Sequence, residues 1–310
     1  MIFENTMSPI LFRQYLETKG LADSTIYNYT KAIEHFLKDS PNVNDLHSYN
    51  SFLIKVMAKP NKRATFYYAA IKHFINFNCN QQVAKKISSG LIRPQERDPK
   101  ISRQYLDKEK RTEILNYLFG LNEKHFIIAL IQMQTGVRIG DILRLELGNI
   151  NWEKYKNKQI LRFDIIGKRQ KRKTTYITNY DMAKIVWDWI EVNDLNIKDE
   201  EFDLFDKTKE IHYFLDPIVR KAMHTLFHRI QNTARSYRMN LKIALKNCNL
   251  DSTRFSTHDW RRCFSRDNYT EFNDIVLLQN VLGHSTIATT SRYLRHSGLN
   301  TLSVLEKMQN

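Results

Sequence analysis

Residues 159–178 read QILRFDIIGKRQKRKTTYIT. Leu161, Phe163 and Ile165 alternate with their neighbours, which places them on one face of an extended strand. Gly167 and a run of basic residues interrupt the pattern, and Thr175 to Ile177 resume it, so the stretch predicts a β-hairpin. It is the one clear departure from helical spacing. Nine glycines and six prolines are few for 310 residues, and the segments on either side repeat apolar residues every three to four positions. The expected fold class is therefore mostly α with a small β-hairpin or sheet, in two domains.

On the N-terminal side, helices are expected over Ile10–Lys19, from a Ser24 cap through Asp39, over Asn44–Met57, Asn61–Phe77 and Gln82–Ser88. Ile26, Tyr29, Ile33 and Phe36 share a face of the second, and Phe66, Ala69, Ala70, Phe74 and Ile75 are spaced to do so in the fourth. These make a helical domain over residues 1–90. The segment SSGLIRPQERDPKIS, 88–102, holds a glycine, two prolines and many charges, so residues 91–104 read as a linker. The second domain spans 105–310. It opens with helices at Leu106–Phe119 and Glu123–Gln134, breaks at Thr135-Gly136, and resumes over Ile139–Leu147. Beyond the hairpin, helices are expected to the end, Ile275–Leu282 among them, with a tail over 297–310.

Charge narrows the partner. Forty-eight Lys and Arg against 33 acids give +15, which points to a polyanion, nucleic acid first. Residues 217–250 carry seven Lys/Arg, two His and no acid; they suit a DNA contact or a plain basic surface. Cys79, Cys248 and Cys263 form no CxxC pair, so neither a disulfide framework nor a cysteine zinc site is indicated. No signal peptide and no membrane-spanning run is read, and a cytoplasmic location with no membrane partner is expected.

Four stretches carry candidate chemistry. In QTGVRIGDILRL (134–145), Arg138 leaves a turn at a helix start, where a planar guanidinium can grip phosphate; a surface arginine is the blander reading. At the hairpin tip, Lys168, Arg169, Lys171, Arg172 and Lys173 are five bases in six residues. They suit a phosphate backbone, or a solvated turn, and a lysine there can protonate a leaving group. In STHDWRRCF (256–264), His258 and Arg261 share a face if Thr257 caps a helix, and Arg262 follows directly. In VLGHSTIATTSRYL (281–294), His284 sits in a turn and Tyr293 lies nine residues on, in a helix.

Two arginines, two histidines, a lysine and a tyrosine can neutralise a phosphodiester and attack it. Tyrosine needs nearby cations to act as a nucleophile. Its product, a phosphotyrosyl ester, conserves the energy of the broken bond, and no GxxxxGK[ST] loop for ATP is present.

TGVR (Arg138), IIGK (Lys168), HDWR (His258, Arg261) and LGHSTIATTSRY (His284, Tyr293), in this order, resemble the tyrosine recombinases, the integrase-like site-specific recombinases of phages, plasmids and chromosomes. The likeness runs from about Leu106 to Tyr293, and the N-terminal helices are similar to that family's core-binding domain. The resemblance implies that Tyr293 attacks the scissile phosphate and that Arg138 and Arg261 hold its oxygens. Lys168 would protonate the leaving 5′ oxygen, His258 assist as acid and base, and His284 support the phosphate. It implies double-stranded recombination sites, a homo-tetramer exchanging strands through a four-way junction, accessory DNA-bending proteins as candidate partners, a mobile-element setting, and no metal or other cofactor.

Asp141 stands where that family usually has Glu, and Trp260 replaces a small apolar residue and reads as core. Arg169, Lys171, Arg172, Lys173 and Arg262 are candidate DNA contacts, and any of the hairpin bases can compete with Lys168. A type IB topoisomerase shares this chemistry, and a non-catalytic DNA-binding regulator of the same fold is a further alternative.

Overall fold

The computed structural model describes residues 8–39, 42–43, 45–58, 64–94, 105–167, 172–195 and 226–295. The chain divides into two compact units, Met1–Lys100 and Ile101–Asn310. The first is helical: α1 (Pro9–Thr18), α2 (Asp23–Asp39), α3 (Leu46–Ala58), α4 (Ala64–Asn78) and α5 (Gln81–Gly90). Short polar side chains set two of the starts. Asp45 accepts the N–H groups of His47 and Ser48 (3.0 and 3.3 Å), and Asn80 accepts that of Val83 (2.9 Å). Ser24 does not cap α2. The N–H groups of Thr25 and Ile26 already bond to Ala22 O (2.7 and 3.0 Å), so Ser24 falls inside the first turn. Aromatic rings fill the core: Phe36 stacks on Tyr49 (4.9 Å between centroids) and Phe74 meets Phe12 edge-on (5.2 Å).

The second unit begins with α6 (Lys108–Leu121) and α7 (Glu123–Thr135), capped by Asp107 and Asn122. Ile127 through Gln132 are all buried, so α7 is a central helix enclosed on every side. The helix expected over Ile139–Leu147 is only one turn, α8 (Ile139–Ile142). Ile142, Leu143 and Leu145 are all buried. After α8 the chain continues through tight turns, with Arg144 N–H donating to Asp141 O (3.2 Å) and Leu145 N–H to Ile142 O (3.0 Å), rather than through further α-helical turns.

The expected hairpin is two strands of a three-stranded antiparallel sheet, β1 (Ile150–Tyr155), β2 (Lys158–Ile166) and β3 (Arg172–Ile177), in that order. Lys156 and Asn157, both at positive φ (45° and 62°), join β1 to β2 with the twist that two-residue hairpins favour. Phe163 pairs with Thr175 and Ile165 with Lys173. Leu161, Phe163 and Ile165 all face the core, as their alternation requires. Four helices follow among the described residues: α9 (Tyr180–Leu195), α10 (Leu226–Asn247), α11 (Thr257–Phe272) and α12 (Ile275–Leu282), and then α13 (Ile287–Arg295) closes the described chain. Trp260 of α11 is fully buried and packs edge-on against Phe255 (5.3 Å), a core residue as the sequence suggested. No helix among the described residues is long and apolar enough to cross a membrane.

Candidate active site

The turn after α7 starts the site. Gly136 caps the helix at φ 64°, and a Cβ there would stand 2.5 Å from Phe264 Cδ1. Only glycine permits both the left-handed turn and the close approach of α11. Arg138 follows at the entrance to α8, half-buried. One turn on, Asp141 keeps its side chain 12% exposed, with Arg138 Nη1 at 3.9 Å and Arg144 Nη1 at 3.8 Å. Burial raises the Asp141 pKa and the surrounding Arg138, Arg144, Arg261 and Lys173 oppose that rise.

The cap of α11 is Ser256, not Thr257. Asp259, three residues on, accepts from both the N–H and the hydroxyl of Ser256 (2.6 and 2.8 Å), and this pairing fixes the start one residue earlier. The same carboxylate takes Arg262 Nη1 at 2.6 Å. Arg261 turns inward instead and is 2% exposed. Its Nη1 donates to Gly136 O (2.6 Å), and its Nη2 donates to Leu282 O (2.5 Å) and approaches His284 Nε2 (3.0 Å). One guanidinium thus joins the turns after α7 and α12.

His284 is buried, and its Nδ1 lies 2.9 Å from Thr290 Oγ1. With Nε2 accepting from a guanidinium, the neutral ring carries its proton on Nδ1 and donates to Thr290. Burial first, then Arg261, Arg138 and Lys173, push the His284 pKa down to about 4. His284 therefore orients Arg261 and anchors α13 in this structure. His258 lies on the rim with an exposed edge. Partial burial, then Arg138 and Arg261, lower its pKa. Tyr293 belongs to α13; its side chain is outside the described residues, as are Lys168, Arg169 and Lys171.

Two described hairpin bases separate. Arg172 is exposed, at the β3 position opposite Ile166. Lys173 is half-buried and turns to the site; a Cβ added at Gly283 would stand 3.3 Å from its Cδ. Burial, then Arg261, push its pKa down to about 7, with Asp141 opposing and Arg138 adding to the effect. Sequence reasoning placed Lys173 among tip residues; the odd-numbered register that buries Ile165 and Thr175 was the signal that it faces inward.

Sequence reasoning also missed Gln132, which is 1% exposed. Its Nε2 donates to Val137 O and Thr257 O (both 3.2 Å), and its Oε1 accepts from Tyr237 (3.0 Å). Those two carbonyls directly precede Arg138 and His258. A buried amide therefore spaces the two turns that carry them.

Arg138, Asp141, Lys173, His258, Arg261 and His284 thus act on one another's charge within one site beside the helix of Tyr293. Such a site attracts an anion and surrounds it with donors. The tyrosine recombinase XerC of Caldanaerobacter subterraneus subsp. tengcongensis is 26% identical over 263 residues, 83% of this chain and 65% of that protein. This chain therefore spans just under two thirds of that relative's length. The probable integrase/recombinase YoeC of Bacillus subtilis (strain 168) is 26% identical over 187 residues, 60% of this chain and 85% of that protein. Among solved structures, the XerH site-specific recombinase bound to a palindromic difH substrate shares the fold with a TM-score of 0.64 at 14% identity, covering 98% of this chain and 84% of that one. A lambda integrase dimer bound to a COC′ core site does so with 0.60 at 13%, covering 94% and 77%. Residues 104–298 match the phage integrase family model; with that match across well over half of its length, the chain belongs to the phage integrase family.

Proposed function

We propose that this chain is a site-specific tyrosine recombinase that cleaves and rejoins double-stranded DNA through a 3′-phosphotyrosyl intermediate. The observation that carries the reading is the buried Arg261 guanidinium, tied to Gly136, Leu282 and His284 beside Arg138 and the Tyr293 helix. In this reading Arg138 and Arg261 neutralise the non-bridging oxygens of the scissile phosphate. Tyr293 Oη forms a bond to phosphorus as the bond to the 5′ oxygen breaks. His258 takes the phenolic proton, and a hairpin base, Lys168, supplies the proton that the departing oxygen needs. The reverse attack by a 5′ hydroxyl rejoins a strand, and the ester linkage retains the bond energy, so ATP is not required.

The first unit is assigned to core-site binding. Helix α10 exposes Arg235, Arg238, Lys242 and Lys246 along one side, which suits a duplex backbone, and binding should weaken steeply with salt. The XerC and YoeC relatives support recombination as the activity, and a lambda integrase tetramer has been solved on a Holliday junction. By likeness, four copies of this chain act on two sites, in a mobile-element setting, with DNA-bending proteins as candidate helpers.

A covalent trap tests the reading. The full chain is incubated with a nicked suicide duplex carrying its site, and a denaturation-resistant protein–DNA adduct is sought. The wild type should form it and Tyr293→Phe should not. No wild-type adduct, or one that persists in Tyr293→Phe, refutes the assignment. Relaxation of plasmid lacking any site would point to a topoisomerase instead.

A further inference from the structure

Among the described residues, Arg138, Arg144 and Arg261 surround a single carboxylate, Asp141. Lys173 enters the same group from β3, where it pairs with Ile165 and is fixed by the strand register. No described side chain or carbonyl hydrogen-bonds to its ammonium. Three guanidiniums and Lys173 against one carboxylate leave an excess of positive charge that an arriving anion would partly offset.

We propose that Lys173 is a further catalytic residue, an electrostatic clamp on the scissile phosphate rather than the proton donor to the leaving oxygen. This rests on the recombinase reading. Two observations separate the roles. First, the Lys173 stem crosses Gly283, the cap of α12 and the root of the turn leading to α13, which carries Tyr293. In a phosphoryl transfer the attacking and leaving oxygens lie roughly in line on opposite sides of phosphorus. Gly283 lies between Leu282 and His284, which hold Arg261, so a side chain against this turn meets the equatorial oxygens that Arg261 would neutralise, not the departing one. Second, Lys173 is held on β3 opposite Ile165, within the charge of Arg138 and Arg261, the two arginines that this reading places on the phosphate oxygens.

The clamp also accounts for the lysine's state. Burial and Arg261 disfavour its charge in the free protein. The groups facing it are Asp141 and Arg138 from the α8 turn, Arg261 from α11 and His284 from the α12 turn. An arriving phosphate adds negative charge among them and favours the ammonium, so the cation is strongest when substrate is present.

The test measures single-turnover adduct formation by wild type, K173M and K168A on two nicked suicide duplexes, one with the normal 5′ oxygen at the scissile position and one with sulfur there, which leaves without a proton. Duplex binding and thermal melts run alongside; where K173M melts early, K173Q gives the same reading. The clamp predicts that K173M binds duplex but forms adduct roughly a hundredfold more slowly, on both duplexes alike. K168A should be rescued by sulfur. Wild-type rates for K173M overturn the proposal. So does rescue of K173M by sulfur, which would make Lys173 the donor. A wild type that forms no adduct overturns the recombinase reading and takes this assignment with it, an outcome distinct from either of those.

Discussion

Replacing Gln132 with Leu changes little volume but removes three hydrogen bonds. Tyr237 O–H, Val137 C=O and Thr257 C=O each lose a partner in a region with almost no water contact. At about 1 kcal/mol for each neutral bond, and more where a buried group finds no substitute, Gln132→Leu should cost about 2–4 kcal/mol. For a unit of this size each kcal/mol is worth about 2–4 °C, so a 3 kcal/mol loss lowers the melting midpoint by about 6–12 °C. The four tryptophans, at 152, 187, 189 and 260, all belong to the second unit. Tryptophan fluorescence therefore reads this unit in the intact chain. Tyr237→Phe alone should cost about 1 kcal/mol, and almost nothing further once Leu occupies 132, because the partner has gone. Cleavage measured where Gln132→Leu is fully folded should still fall, by up to roughly a hundredfold if either turn shifts by an ångström. A loss under 1 kcal/mol, or full additivity of the two substitutions, would refute the view that this amide spaces the catalytic turns.

Two other perturbations test the architecture. Gly136→Ala combines a left-handed residue, which costs about 1–2 kcal/mol, with a Cβ 2.5 Å from Phe264; it should destabilise the second unit by more than about 2 kcal/mol and abolish adduct formation. Gly20→Ala has nearly the same φ (63°) and no neighbour within 4 Å, so its cost should be the strain alone, and equal costs would remove the role given to Phe264. Burial, with a minor contribution from Lys124, holds the His125 pKa down to about 4, below its unfolded value near 6.5. The unfolded chain then binds more protons between these values, so this contribution is complete above about pH 6.5 and is lost as pH falls toward 4. His125→Gln should flatten the fall of the melting midpoint from pH 7 to 4.5, and equal slopes in the two proteins would remove His125 from that account.

What sequence could reveal depended on whether the signal was local. Helix α12 is legible to the residue because Asp274 caps its start and Gly283 its end. The inward rank of Leu161, Phe163 and Ile165 is legible because strand periodicity dictates it. Strand β1 was not: Ile150 is its one fully buried residue, and its INWEKY pattern gains meaning only from pairing with β2. The length of α8 was obscured by apolar residues that satisfy a helical template yet are buried by turns. The spacing of HDWR separated Arg261 from Arg262, and Asp259 enforces that separation by engaging Arg262. Lys173 was hidden by its neighbours, since five bases in six residues look alike until strand register assigns each a face. Thr290 and Gln132 carry no motif; Thr290 meets His284, 6 positions away, and two of Gln132's three partners are 105 and 125 positions away in sequence.

The ties on Arg261 have an electrical consequence. Gly136 O and Leu282 O lie at the C-terminal ends of α7 and α12, where aligned peptide dipoles leave a partial negative charge of up to roughly half a unit each. Two helix ends aimed at one guanidinium offset much of its charge before any substrate arrives. Under the recombinase proposal, this would let Arg261 favour the charge developing on the phosphate oxygens without holding the diester so tightly that a strand cannot be released. For the reversible strand cleavage proposed above, a tempered cation is better suited than a bare one.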